Sequence, residues 1–128
     1  MSISIEKIIT LAKREAEKST SRYRLGALIY RKKEIISTGY NKILTNCPKI
    51  PEKYKKYPTS VHAEMAAIVN ARANLAGTTL VVVRINRCGK LMHSFPCKHC
   101  FPYIVLLGIK RIIYINANGK VAQLKLST

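Results

Sequence analysis

Two short stretches of this chain carry side chains that could do chemistry together. His62-Ala63-Glu64 offers an imidazole and a carboxylate, and Pro96-Cys97-Lys98-His99-Cys100 offers two thiols. One nitrogen and two sulfurs make three protein ligands for zinc, and a catalytic zinc keeps its fourth position for water. On this reading His62, Cys97 and Cys100 hold Zn2+ and Glu64 moves protons. The pattern is not the His-Glu-x-x-His of metalloproteases, because Ala66 stands where a second histidine would be needed. A Cys-x-x-Cys alone also fits a redox pair or half of a structural zinc site. A structural site would need a fourth protein ligand from among Cys47, Cys88, His93 and His99. The catalytic reading leaves Cys47 and Cys88 as unliganded thiols and turns His99 to solvent.

These groups need elements to position them. Deep inside a helix, side chains two residues apart diverge. At a helix start the first residue can be non-helical, so His62 and Glu64 can reach one cavity. Val61 to Asn74 is Ala-rich and predicts that helix, stopped near Gly77. Cys97 to Leu107 predicts another, ended by Gly108, with Pro102 delaying or bending its first turn. Placing both stretches at helix starts favours thiolate over thiol.

The remaining elements follow from periodicity. Apolar residues at Ile5, Ile8, Ile9, Ala12 and Ala16 predict a helix over 3–18. Leu25 to Arg31 and Glu34 to Asn41 predict a hairpin turning at Lys32-Lys33. Residues 42–60 read as a loop, Thr78 to Ile85 as a buried strand, and Arg87 to Phe95 as a turn-rich connection around Gly89. Lys110 to Asn116 and Val121 to Leu126 predict two strands closed by Asn118-Gly119. The expected architecture is a three-layer α/β/α fold with a mixed five-stranded sheet and a C-terminal β-hairpin. Without an evident linker or repeat, residues 1–128 are expected to form one domain.

Composition narrows the function. The net charge is +17, every acid is a glutamate, and Glu64 is the only carboxylate after residue 60. Chemistry that needs a carboxylate pair, such as glycoside hydrolysis, is disfavoured. The positive excess fits anionic partners, including nucleic acid through a basic surface, and equally fits a well-solvated lysine-rich face. No apolar run is long enough for a membrane span and no secretory signal is recognisable, so the expected location is cytoplasmic.

The succession His62-Ala-Glu64 and Pro96-Cys97-x-x-Cys100 resembles the cytidine and deoxycytidylate deaminase superfamily. The likeness extends over Gly26-Ala-Leu-Ile, Ser37-Thr-Gly-Tyr-Asn41 and Gly108-Ile-Lys-Arg-Ile-Ile-Tyr, where such proteins place a strand, a substrate-contacting turn and a late strand. The resemblance implies zinc-dependent hydrolytic deamination, with cytosine in a free (deoxy)cytidine nucleotide or nucleoside as first choice. It implies substrate contacts from Asn41 and from the backbone around Ala63 and Phe95, and a homo-oligomer. Asn41 could equally be only a turn residue. Lys56 to Glu64 looks like the deoxycytidylate branch, but Ala66 and Lys42 depart from its common Asn and Gly. The predicted C-terminal hairpin is instead similar to free-cytidine deaminases, which usually carry Cys in place of His62. Two other functions compete. One is deamination within RNA or single-stranded DNA, for which Tyr54 and Tyr57 among Lys53, Lys55 and Lys56 could stack bases. The other is an inactive zinc fold that binds nucleic acid, against which intact Glu64 argues.

Overall fold

The structure is a computed structural model, and it describes residues 4–20, 23–43 and 60–126. Helix α1 (Ile5–Glu17) is capped by Ser4, whose side chain accepts a hydrogen bond from the Lys7 N–H. Such a cap contributes about 1 kcal/mol. Strands β1 (Arg24–Arg31) and β2 (Glu34–Tyr40) form the expected hairpin. The two-residue strands β3 (Lys42–Ile43) and β4 (Ser60–Val61) pair with each other. After them come α2 (Ala63–Ala71), β5 (Thr79–Ile85), β6 (Leu91–Met92), α3 (Phe101–Leu106), β7 (Arg111–Ile115) and β8 (Val121–Lys125).

The sheet runs β2-β1-β5-β7-β8, with β6 added beside β5. Only β5 and β7 are parallel, so the sheet is mixed as expected, and the five predicted strands are the five on its path. The sixth strand is a correction: the connection after β5 folds back on it, with Arg84 opposite Met92. The expected loop 42–60 also gains structure at its two ends, while 44–59, and with it Cys47 and Lys53–Tyr57, lies outside the described residues.

Two cores flank the sheet. Ile8, Ala12 and Ala16 of α1 pack on Leu28, Val81, Val83 and Ile113, while α2 and α3 pack on Ala27, Ile29, Leu80, Val82 and Ile112. This is the three-layer arrangement. Alternate residues of β1, β5 and β7 feed opposite cores, which is why β5 reads as an unbroken apolar run. Gly39 brings α2 close: a Cβ there would stand 2.4 Å from the Ala67 backbone nitrogen. The Ser37 hydroxyl donates to the Ala67 carbonyl at 2.7 Å, and the Asn70 amide donates to the Thr38 carbonyl at 2.9 Å. Ser37 to Tyr40 are therefore strand residues that seat the helix, not a turn.

The C-terminal hairpin forms as predicted, with Ile115 opposite Val121. Its turn is tied by Asn116, whose Oδ1 accepts the N–H groups of Asn118 and Lys120, with Gly119 at φ 77°. Asn86 repeats this chemistry with Cys88, Lys90 and Gly89 at φ 82°. The two turns share the sequence Asn-x-x-Gly-Lys. Positive φ at the fourth position is what glycine supplies without steric cost. Among the described residues, no helix is long and apolar enough to cross a membrane.

Candidate metal centre

His62 is the N-cap of α2, extended at φ −74° and ψ 156°, with its carbonyl accepting the Ala66 N–H. Ala63 is the first helical residue and is fully buried, and Glu64 follows in the first turn. The extended cap resolves the spacing problem in the sequence: the helical alternation that would separate His62 from Glu64 has not begun. The helix then stops at Ala71, earlier than predicted, because Arg72 adopts a left-handed conformation at φ 50°.

The cysteine stretch differs from expectation. Helix α3 begins at Phe101, not Cys97, and Cys97 to Cys100 form a turn in which the Cys97 carbonyl accepts the N–H groups of Cys100 and Phe101. Pro102 sits in the first turn, where its missing N–H is no loss. The delay predicted at Pro102 is thus a full turn, and Cys97 lies ahead of the helix. The thiolate argument from the helix start therefore applies to Cys100 alone.

These local geometries bring three donors together. His62 Nδ1 lies 3.4 Å from Cys97 Sγ and 3.3 Å from Cys100 Sγ, and the two sulfurs are 3.5 Å apart. A tetrahedral zinc with ordinary bond lengths places such ligands about 3.5–3.8 Å from one another. The triangle needs to open by only a few tenths of an ångström to fit. Protonation points the same way. The hydrogen bond between the two sulfurs is the main cause that lowers the Cys97 thiol to about 3, against burial. The same hydrogen bond and burial raise Cys100. No fourth protein donor joins the group among the described residues. Cys88 and His99 are exposed, and Phe95 and His93 stand on the segment leading into the turn.

Glu64 is 2% exposed, and its Oε1 has no hydrogen-bond partner among the described residues. Burial pushes its carboxyl above the usual carboxylate range, with its own backbone N–H and His62 opposing. An unpaired buried carboxyl oxygen costs on the order of 1–3 kcal/mol and calls for a partner.

Asn41 and Phe95 are placed differently. The Asn41 carboxamide is largely spent on the backbone: Oδ1 accepts the Leu25 N–H at 2.9 Å, and Nδ2 donates to the Tyr23 carbonyl at 2.6 Å. The Phe95 ring packs edge-on against Tyr114, 4.9 Å between centroids, and tilted against Phe101 at 5.7 Å. Ser94 is the residue the motifs did not reveal. Its buried hydroxyl donates to the Val82 carbonyl at 2.7 Å and accepts the Ile115 N–H at 2.9 Å, while its own N–H bonds the Ile115 carbonyl. It clasps β5 to β7 beyond their direct pairing, three residues before Cys97. A polar residue beside Phe-Pro-Cys was the only hint.

A family model described as the cytidine and deoxycytidylate deaminase zinc-binding region matches residues 2–116. The deoxycytidylate deaminase of Pongo abelii is 29% identical over 92 residues, covering 65% of this chain and 47% of that protein. The chain thus spans about half the length of the curated relatives it matches. In fold it is similar to a dCMP deaminase from the cyanophage S-TIM5, with TM-score 0.66, 24% identity, and coverage of 89% of this chain and 84% of that one. A structure of that phage enzyme in complex with dCMP and dUMP gives TM-score 0.56, 21% identity, and coverage of 86% and 82%. A mutant cytidine deaminase from Mycobacterium tuberculosis gives TM-score 0.58, 17% identity, and coverage of 88% and 84%. With the matched region spanning the His62, Cys97 and Cys100 group, a set of donors consistent with Zn2+ binding, this chain belongs to the cytidine and deoxycytidylate deaminase family.

Proposed function

We propose that this chain deaminates cytosine to uracil hydrolytically in a free (deoxy)cytidine nucleotide or nucleoside, with Zn2+ held by His62, Cys97 and Cys100. Zinc at this position supplies the Lewis acidity that lets water act as a nucleophile near neutral pH. The proton work falls to Glu64. Its Oε1 accepts a proton from the attacking water and delivers it to the ring nitrogen beside the amine-bearing carbon. The proton of the added hydroxyl then passes through the same carboxyl to the amine, which leaves as ammonia. Cytosine and water become uracil and ammonia, and Glu64 is restored.

The observation that carries this reading is the buried Glu64 carboxyl, whose Oε1 has no partner among the described residues and whose ionisation is felt by His62, Cys97 and Cys100. A purely structural zinc turn has no use for such a group. The backbone at Ala63 and Phe95 is proposed to contact the base. Asn41 would use the one N–H and one lone pair that the Tyr23–Leu25 backbone leaves it. A nucleotide is favoured by the net charge of +17 and by the deoxycytidylate deaminases among the relatives. The test is ammonia release by the zinc-loaded protein from a panel of nucleosides, nucleotides and oligonucleotides. The proposal expects kcat/KM to be highest on a free cytosine compound. Faster turnover of an oligonucleotide than of every monomer would overturn it in favour of a polynucleotide substrate.

A further inference from the structure

The chain contains two phenylalanines, and they bracket the metal turn: residues 95–102 read Phe-Pro-Cys-Lys-His-Cys-Phe-Pro. Phe95 lies two residues before Cys97, and Phe101 follows Cys100 directly. Their rings meet across the turn, tilted by 31° with 5.7 Å between centroids. The Phe101 N–H donates to the Cys97 carbonyl at 3.0 Å, so backbone and rings tie the same two sides of the turn.

Both rings are also held from outside the turn. Phe95 stands edge-on to Tyr114 of β7, at 83° and 4.9 Å. The residue before it, Ser94, donates its N–H to the Ile115 carbonyl, so β7 grips the incoming chain at two consecutive residues. Pro96, between Phe95 and Cys97, has a fixed φ and passes that placement on. Phe101 opens α3 and packs, like Tyr114, against the core on the α2 side of the sheet. Phe95 is 36% exposed, so its seat depends on ring contacts more than on burial. Lys98 and His99, at the tip of the turn, are exposed, and packing of the tip therefore contributes little to holding the two sulfurs 3.5 Å apart.

We propose that Phe95 and Phe101 are positioning residues for the metal: their ring contact closes the Cys97–Cys100 turn and sets the separation of the two sulfurs before zinc binds. Donors already held near their bound spacing lose little freedom on capture, and that saving appears as tighter binding. The inference rests on Zn2+ at His62, Cys97 and Cys100 and not on the identity of the substrate.

Chelator competition for zinc, run below the unfolding transition of every variant, tests the proposal together with the absorption spectrum of the cobalt(II)-substituted chain. Phe95→Leu and Phe101→Leu stay apolar and lose a ring. Each should weaken zinc binding about three- to tenfold, the effect of losing one aromatic pair, and should shift the thiolate-to-cobalt band. Because the two rings make one contact, the double variant should lose less than the sum of the singles. Phe95→Tyr keeps the ring, its added hydroxyl can reach solvent, and it should bind zinc within twofold of the parent. Ile104→Val trims a fully buried side chain on α3 and should lower Tm while leaving zinc affinity and the cobalt spectrum unchanged. If Phe101→Leu fails to fold, Phe95→Leu and Phe95→Tyr decide the matter alone. Unchanged zinc affinity in folded Phe95→Leu, equal losses in Phe95→Leu and Phe95→Tyr, or additive losses in the double variant would overturn the proposal. A parent chain that binds no zinc would instead overturn the metal reading itself, and the proposal with it.

Discussion

Ser94→Ala asks how much of the metal centre rests on a hydroxyl that touches no metal ligand. In the parent, that hydroxyl bridges the Val82 carbonyl at 2.7 Å and the Ile115 N–H at 2.9 Å, in a residue only 3% exposed. The substitution leaves the Ile115 N–H buried with no partner and removes one bond from Val82. With about 1–3 kcal/mol for a stranded buried donor and about 1 kcal/mol for the second bond, the loss is about 2–4 kcal/mol. For a domain of this size that lowers Tm by roughly 10 °C. The same bond fixes where β5 and β7 release the chain towards Cys97, so zinc affinity should fall about tenfold, the lower end for groups that orient ligands indirectly. Thermal denaturation of metal-free protein reads the first effect, and competition with a chromophoric chelator reads the second. Ser94→Cys, which keeps a weaker donor, should fall between parent and Ala. A Ser94→Ala protein within 0.5 kcal/mol of the parent and with unchanged zinc affinity would refute the clasp.

Glu64→Gln should keep its zinc and its circular dichroism spectrum while kcat/KM drops at least a hundredfold; near-parent turnover in the loaded variant would remove Glu64 from the mechanism. Cys97→Ala should cost zinc stoichiometry outright, since two donors remain of three, and elemental analysis after dialysis checks it. Gly39→Ala forces a methyl into the Ala67 backbone, so a loss of about 1–3 kcal/mol is expected by urea denaturation, and a silent substitution would mean that α2 sits further from β2 than described. Gly119→Ala should cost about 1 kcal/mol through its positive φ alone, with no change in zinc content.

The donor group was legible because zinc chemistry demands few residue types, and His62, Cys97 and Cys100, which the fold brings together, meet that demand at motif spacing. The five long strands were legible from alternation and from the β-branched run of β5. What escaped is tertiary. The start of α3 moved from Cys97 to Phe101 because a turn closed by the Cys97 carbonyl precedes it, and side-chain periodicity does not report such a turn. Strand β6 is too short to show a period, although Asn86-x-x-Gly89-Lys90 has the same turn residues that made the C-terminal hairpin readable. Asn41 was an even choice between contact and turn residue, and two backbone hydrogen bonds now show the structural half of that choice. Ser94 carried only the hint of a polar residue beside Phe-Pro-Cys, because its partners lie twelve and twenty-one residues away.

The separation of those partners also orders events during synthesis. His62 leaves the ribosome thirty-five residues ahead of Cys97, a delay of roughly 2–7 s at typical elongation rates. A nascent chain that has just exposed Cys100 owns every donor of the triangle but not Ile115, on which Ser94 closes. Until β7 arrives, a metal ion meets only a mobile Cys-x-x-Cys and a distant imidazole, so capture with full affinity waits for nearly the whole polypeptide. Chains cut short before Ile115 should therefore release zinc quickly and be open to proteolysis, even though none of the three donors is missing from them.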